Sequence, residues 1–417
     1  MLLTNCRYVI TQDKNREILE NADILIQDCK IKSIIKSIAK NTNENDVKNS
    51  NKVITSNKII DCSDKIVMSG LINMHTHIAM HSLRGICDDE ELDIWLKKVV
   101  NEEKKFDETK IKENCVNAVN EMINYGTTTF VDMYYPIKPV IDAVKKTNIR
   151  AVLAPSIYNF VGEEKKQFNE IKWLLEKNNE KCNSEKNDCN LIKLAYGLHS
   201  IYACSEEMLK KVKKNAKDNL ILIHIAETRK ERVECLKKNG KLPIEYLNSI
   251  GFLGENVIVI HAIWLTKGEL DLINKAKTKV VHCPVSNMKL ASGGVMPLTE
   301  MHNRNIIVGL GTDSVASNNN LDMFEEMKVC GLLHKQHRWD ATVAPVQKII
   351  DMATIDAARI LNMDIGSIEI GKKADIITLK IENNLYDTNK KNILSNIVYN
   401  ASGHNVCDVI INGEKVK

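Results

Sequence analysis

His75 and His77 stand two residues apart in Gly70-Leu71-Ile72-Asn73-Met74-His75-Thr76-His77, just after the apolar run Ile66-Val67-Met68. Alternate side chains of a β-strand share a face, so the two imidazoles project the same way and can grip one ion. A histidine pair alone fits a hydrogen-bonded core equally well, but later stretches supply what it lacks. Leu220-Ile221-Leu222-Ile223-His224-Ile225-Ala226-Glu227 adds a third imidazole and a proton carrier, and Gly311-Thr312-Asp313-Ser314 adds a carboxylate. His199, His261 and His282 each close a further apolar run, so six of the eleven histidines are expected at the same end of separate strands, converging on one rim.

Neutral imidazoles from His75, His77 and His224 with the Asp313 carboxylate form a donor set suited to one divalent ion, zinc or ferrous iron, with room for a water. Zinc lowers the pKa of such a water toward roughly 7, which makes hydroxide available at neutral pH. Glu227, three residues after a ligand, is placed to shuttle a proton. Its plainer reading is a carboxylate beside the start of the next helix.

These residues need rigid elements behind them. Apolar runs at Val67 to His75, Thr127 to Met133, Arg150 to Ser156, Ile192 to His199, Leu220 to Ile225, Val257 to His261, Lys279 to Cys283 and Ile306 to Thr312 read as strands. Long amphipathic, Lys- and Glu-rich segments separate them, the pattern of repeated β-α units. Eight such units predict a (β/α)₈ TIM-type barrel, whose C-terminal rim carries the chemistry, within the α/β class. An open doubly wound sheet is the alternative, and it lacks the Gly-rich turn expected after its first strand. Short β-like runs before residue 60 and after Gly366 predict one small β-sandwich from both termini, giving a composite domain of 1–60 plus 366–417 and a catalytic barrel of 61–365. The polar stretches Asn41–Asn57 and Glu176–Asn190 read as exposed loops.

Composition narrows the function. The 417 residues are 44% hydrophobic and 27% charged, with 58 basic and 54 acidic side chains interspersed for a net charge of +4. That balance argues against a nucleic-acid surface. No apolar run reaches the roughly 18 residues that span a bilayer, so no membrane partner and a cytoplasmic location are expected. The twelve cysteines are scattered and read as reduced thiols; Cys182 and Cys189 receive no role. Trp95 with Leu92 and Leu96 reads as a helix core face, Glu102-Glu103 as a solvated helix face, and His334 and His337 as surface residues.

Together, His75-Thr76-His77 after Gly-Leu-Ile, His224-x-x-Glu227, the His261 strand, His282-Cys283-Pro284-Val285-Ser286-Asn287-Met288-Lys289-Leu290 and Gly311-Thr312-Asp313-Ser314-Val315-Ala316-Ser317-Asn318-Asn319 resemble the amidohydrolase superfamily. The likeness runs from about residue 20 to the C-terminus. It is strongest to the 5'-methylthioadenosine/S-adenosylhomocysteine deaminase group, which includes 5'-deoxyadenosine deaminases. The resemblance implies one metal ion on His75, His77, His224 and Asp313. It also implies that His261 orients the attacked centre, Glu227 protonates a ring nitrogen, His199 contacts substrate, and Ser317 and Asn318 line the site. The implied substrate is a small nucleoside whose adenine amine is displaced by water, and a homo-oligomer is expected. Guanine, cytosine or triazine aminohydrolases share most of these motifs, and a non-catalytic binding barrel is the remaining class.

Three positions depart from the family pattern. The usual Pro-x-Glu that binds ribose is replaced by Val99-Val100-Asn101-Glu102-Glu103, with Glu103 the first choice and Glu102 the second. Ala154-Pro155-Ser156 stands where some members carry an arginine for the homocysteine carboxylate, which favours an uncharged 5' group. Cys283 replaces the usual Asn after His282.

Overall fold

The computed structural model describes residues 1–36, 58–90, 92–159, 163–184 and 191–417. The strands are β1 (Leu2–Ile10), β2 (Ile18–Gln27), β3 (Lys30–Lys36), β4 (Ile59–Asp61), β5 (Lys65–Ser69), β6 (Leu71–Thr76), β7 (Thr127–Asp132), β8 (Arg150–Leu153) and β9 (Ser156–Ile157). They continue as β10 (Ile192–Leu194), β11 (Tyr196–Ser200), β12 (Ile221–Ile225), β13 (Val257–His261), β14 (Lys279–His282), β15 (Val308–Leu310), β16 (Ile376–Lys380), β17 (Val406–Ile411) and β18 (Glu414–Lys415).

Both ends of the chain enter one sheet, ordered β18-β17-β16-β5-β1-β2-β3, with β4 also beside β1. Period-two alternation divides its side chains between two cores. Val9, Val67, Ile376 and Ile410 face a core within the sheet's own unit, whereas Ile10, Met68, Ile377 and Ile411 join the larger core that runs out to the barrel helices. The joint is also ionic. Arg150, at the base of β8, donates from Nε and Nη2 to Asp375 at 2.6 and 3.0 Å, and both side chains are buried.

The other ten strands form the eight parallel staves of a TIM-type barrel, with β8–β9 making the third and β10–β11 the fourth. The seam closes where Thr76 bridges Asp313 and the Asp313 N–H donates to His75 O at 2.9 Å. Gly311 makes this approach available, since a Cβ there would lie 2.6 Å from His75 N. Ile72, Met74, Val131, Val152, Leu222 and Ile258 fill the interior, and Ala357, Ala358, Ile360 and Leu361 of helix Ile355–Leu361 close its floor.

Two expectations change. Val67 to His75 is not one strand: the chain breaks at Gly70, so β5 belongs to the terminal sheet and β6 to the barrel. A side chain at Gly70 would run into Thr128, 2.1 Å from its Oγ1, which is why the crossover occurs at a glycine. The expected loop at Glu176–Asn190 is helical through Ser184, as the end of helix Glu164–Ser184, and residues 185–190 lie outside the described residues. The whole Asn41–Asn57 stretch likewise lies outside the described residues. Among the described residues, no helix is long and apolar enough to cross a membrane.

Candidate active site

The chemistry-bearing side chains gather where β6, β11, β12, β13 and β15 end. His75 Nε2 and His77 Nε2 each lie 3.4 Å from Asp313 Oδ1, and His224 Nε2 lies 3.1 Å from His75 Nε2. Two ring orientations are fixed from behind. His77 Nδ1 is 2.6 Å from Met133 O and His224 Nδ1 is 2.7 Å from His199 O. A carbonyl oxygen only accepts, so each Nδ1 carries the proton and each Nε2 presents a lone pair inward. Converging lone pairs beside a carboxylate repel one another unless a cation lies among them, so this donor set fits a divalent ion. Burial is the main reason that the His75 pKa falls to about 4, with the Asp313 carboxylate opposing and His77 adding to the drop, so the ring is neutral and able to ligate.

Asp313 is held on every side. Ser286 Oγ donates to its Oδ2 at 2.7 Å and the Ser314 N–H to its Oδ1 at 2.8 Å. Burial opposes its charge, but hydrogen bonding to His75 and the neighbouring imidazoles hold the carboxyl well below its usual range. Its backbone is left-handed, with φ 64°, and so are those of Ala226, His261 and Ala262. Such conformations cost about 1–3 kcal/mol each and mark positions where aiming a side chain outweighs backbone comfort.

Glu227 is aimed by one of these turns. Thr228 Oγ1 caps helix Arg229–Asn239 by accepting the Glu231 N–H at 3.1 Å, and Glu231 Oε2 accepts the Glu227 N–H at 3.0 Å. The Glu227 carboxyl lies 3.8 Å from His261 Nε2. Burial raises its pKa, His261 pulls it back, and Asp313 adds to the rise. His261 Nδ1 receives a hydrogen bond from the Asn287 amide at 3.1 Å, which leaves Nε2–H facing the site.

An open cavity of about 2150 Å³ leads to this cluster, lined among others by Trp95, Glu103, Tyr134, His199, Tyr202, Glu227 and Ser317. Glu103 and not Glu102 faces it. Glu103 accepts from the Tyr134 hydroxyl and burial raises its pKa, whereas Glu102 pairs with Lys105 outside. Trp95 packs on Met80, Leu83 and Val99 and also forms part of the wall. Ser317 Oγ lies 2.9 Å from Ser286 Oγ. Asn318 turns its amide to Thr312 O at 2.8 Å and to Glu326, away from the cavity.

Two histidine expectations are corrected. His282 does not face the metal cluster; its Nε2 meets His334 Nε2 at 3.1 Å. His334 is buried, not a surface residue, because it sits on the inner face of helix Met323–Arg338. The supporting groups Ser286, Asn287, Tyr134 and Glu231 received no role from the sequence. The first two lie inside the quoted His282 motif, and Thr228-x-x-Glu231 has capping spacing, so a signal existed for three of the four.

The amidohydrolase family pattern matches residues 66–416. The chain belongs to the amidohydrolase family. This amidohydrolase is 41% identical to the 5'-deoxyadenosine deaminase of Methanosphaera stadtmanae over 403 residues, covering 95% of this chain and 93% of the relative. It is 37% identical to the 5-methylthioadenosine/S-adenosylhomocysteine deaminase of Thermococcus sibiricus, covering 98% and 92%. Its fold matches the zinc-bound crystal structure of an adenosine deaminase from Xanthomonas campestris with a TM-score of 0.90 at 27% identity, covering 99% and 92%.

Proposed function

We propose that this amidohydrolase is a metal-dependent hydrolytic deaminase of 5'-substituted adenosines, releasing ammonia and the inosine derivative. The observation that carries the reading is the joint placement of Glu227, His261 and Asp313 beside three inward-facing imidazoles at the end of one cavity. Relatives named for deaminating such nucleosides support the substrate class.

In this reading His75, His77, His224 and Asp313 hold one ion, taken as zinc with ferrous iron the alternative. When bound, it supplies a water whose pKa is lowered toward about 7. Asp313 accepts the proton of the attacking water. Glu227 gives a proton to N1 of the purine, which offsets the loss of ring stabilisation as C6 is attacked; as a carboxylate it then takes the proton of the new C6 hydroxyl and passes it to the leaving amine, and the proton held by Asp313 restores it. His261 orients the attacked centre through Nε2–H, with Asn287 fixing that tautomer. His199 faces the base, Glu103 binds the ribose hydroxyls, and Ser317 and Asn318 support the wall around Asp313. The two-core terminal sheet is taken as a β-sandwich of 1–60 with 366–417, set against a barrel of 61–365. The chain is assigned to the cytoplasm as a homo-oligomer.

The test is ammonia release from 5'-deoxyadenosine, 5'-methylthioadenosine, S-adenosylhomocysteine and adenosine by metal-loaded enzyme. Turnover of the first two above S-adenosylhomocysteine is expected. Turnover of guanine, cytosine or a triazine with none of the four nucleosides would overturn the reading.

A further inference from the structure

A second set of metal donors lies behind the seventh barrel strand, away from the cavity. His282 ends β14, while Cys330 and His334 stand four residues apart on the inner face of helix Met323–Arg338. All three side chains are buried, and one donor atom from each lies within 4.8 Å of the others. The Nε2 atoms of His282 and His334 face each other at 3.1 Å, the same separation as between His224 and His75 in the catalytic cluster. Two nitrogens bound to one tetrahedral zinc, at about 2.0–2.1 Å each, stand roughly 3.3–3.4 Å apart.

We propose that His282, Cys330 and His334 form a second metal site, selective for a thiophilic ion such as zinc, that ties helix Met323–Arg338 to the end of β14. The proposal does not rest on the deaminase reading.

The donor chemistry separates the two sites. The catalytic cluster offers only nitrogen and oxygen, whereas this one adds sulfur and no carboxylate, a set that favours zinc or cuprous ion over magnesium or calcium. One of the two facing Nε2 atoms carries a hydrogen that it donates to the other, so an ion entering here shifts that proton to the far ring nitrogen and leaves two lone pairs facing it. The buried Cys330 sulfur keeps its proton until a cation arrives. Binding then breaks the S–H bond, sends the proton to solvent and forms a metal–sulfur bond from the freed electron pair. Ligands four apart on a helix share one face, and a third from a strand end completes a clamp between two elements. An ion here would stiffen the segment that follows β14, which carries Ser286 and, through it, one oxygen of Asp313.

The experiment is metal titration of the intact chain, with zinc for stoichiometry and cobalt for spectroscopy. Wild type is expected to bind two equivalents of zinc, and C330A and H334Q one each with deamination retained. Cobalt-loaded wild type should show a sulfur-to-cobalt charge-transfer band, absent from both variants, since no other ligand in either site is sulfur. C330S replaces C330A if the alanine variant misfolds, and H334Q tests the site without touching the thiol. One equivalent in wild type, two equivalents without the band, or a band that persists in C330A or C330S would overturn the proposal.

Discussion

At the floor of the barrel, helix Ile355–Leu361 presses Ala357, Ile360 and Leu361 into an apolar plug. The polar groups beside it are paired: Gln12 donates to Asp351 and Thr354 at 3.0 and 2.9 Å, and Arg16 meets Asp351 at 3.0 Å. At the mouth the same staves end in left-handed turns at Ala226, His261 and Asp313, and His75 Nδ1, Glu231 Oε1 and Asn287 Oδ1 are buried with no hydrogen-bond partner among the described residues. A depression of about 430 Å³ lies beside Gln12, Arg16 and Met363 at the floor, against about 2150 Å³ at the mouth. One end gathers stability and the other gives some of it up to fix directions in space.

Substitutions can break that division. Asp313→Ala removes a metal donor and a proton acceptor together, and strands Ser286 Oγ, which donates to that carboxylate at 2.7 Å. Activity should fall beyond the roughly 10²–10⁴-fold that one acid–base group supplies, with bound metal lost as well; metal analysis beside ammonia release checks both. Arg150→Ala strands a buried Asp375, so about 3–5 kcal/mol of stability should go, read by denaturant unfolding. The kcat of the molecules that remain folded should be unchanged; a proportionate drop in kcat would show that floor and mouth are not separate. Glu227→Gln should keep its metal and lose at least about 10²-fold in kcat, and normal turnover would reject its role.

The smallest effect sharpens the contrast through pH. Burial raises the Glu231 pKa from 4.5 to about 8. The folded chain therefore binds more protons than the unfolded chain across that window, and this carboxyl's contribution to stability falls as pH rises through it. Glu231→Gln has nothing there to titrate, so its Tm relative to wild type should climb from roughly pH 5 to pH 8. Parallel melting curves would place Glu231 outside the strained mouth.

Much of the mouth was legible in the sequence because its signals are local. A His-x-His on a strand, His224 three before Glu227, and apolar runs ending in His or Asp each fit within a few residues, and eight such runs imply a barrel. What stayed hidden depends on distant packing. Ile66 to Met74 is one apolar run, and only the Thr128 side chain shows why it must change sheets at Gly70. His334 lies on a helix with many polar residues, so its burial appears only once β14 lies against that face. Asn287 and Ser286 act through His261 and Asp313, contacts that sequence spacing does not reveal.

The Arg150–Asp375 pair spans 225 positions of the chain. As a ribosome delivers the polypeptide, the guanidinium emerges long before the carboxylate that neutralises it. The guanidinium at the base of the third stave therefore waits for its partner while 225 further residues are made. Such an ordering holds the nascent barrel in an unfinished state, where helpers that recognise exposed apolar surface can act. A chain cut short before Asp375 would keep that unanswered charge and become a natural target for quality control.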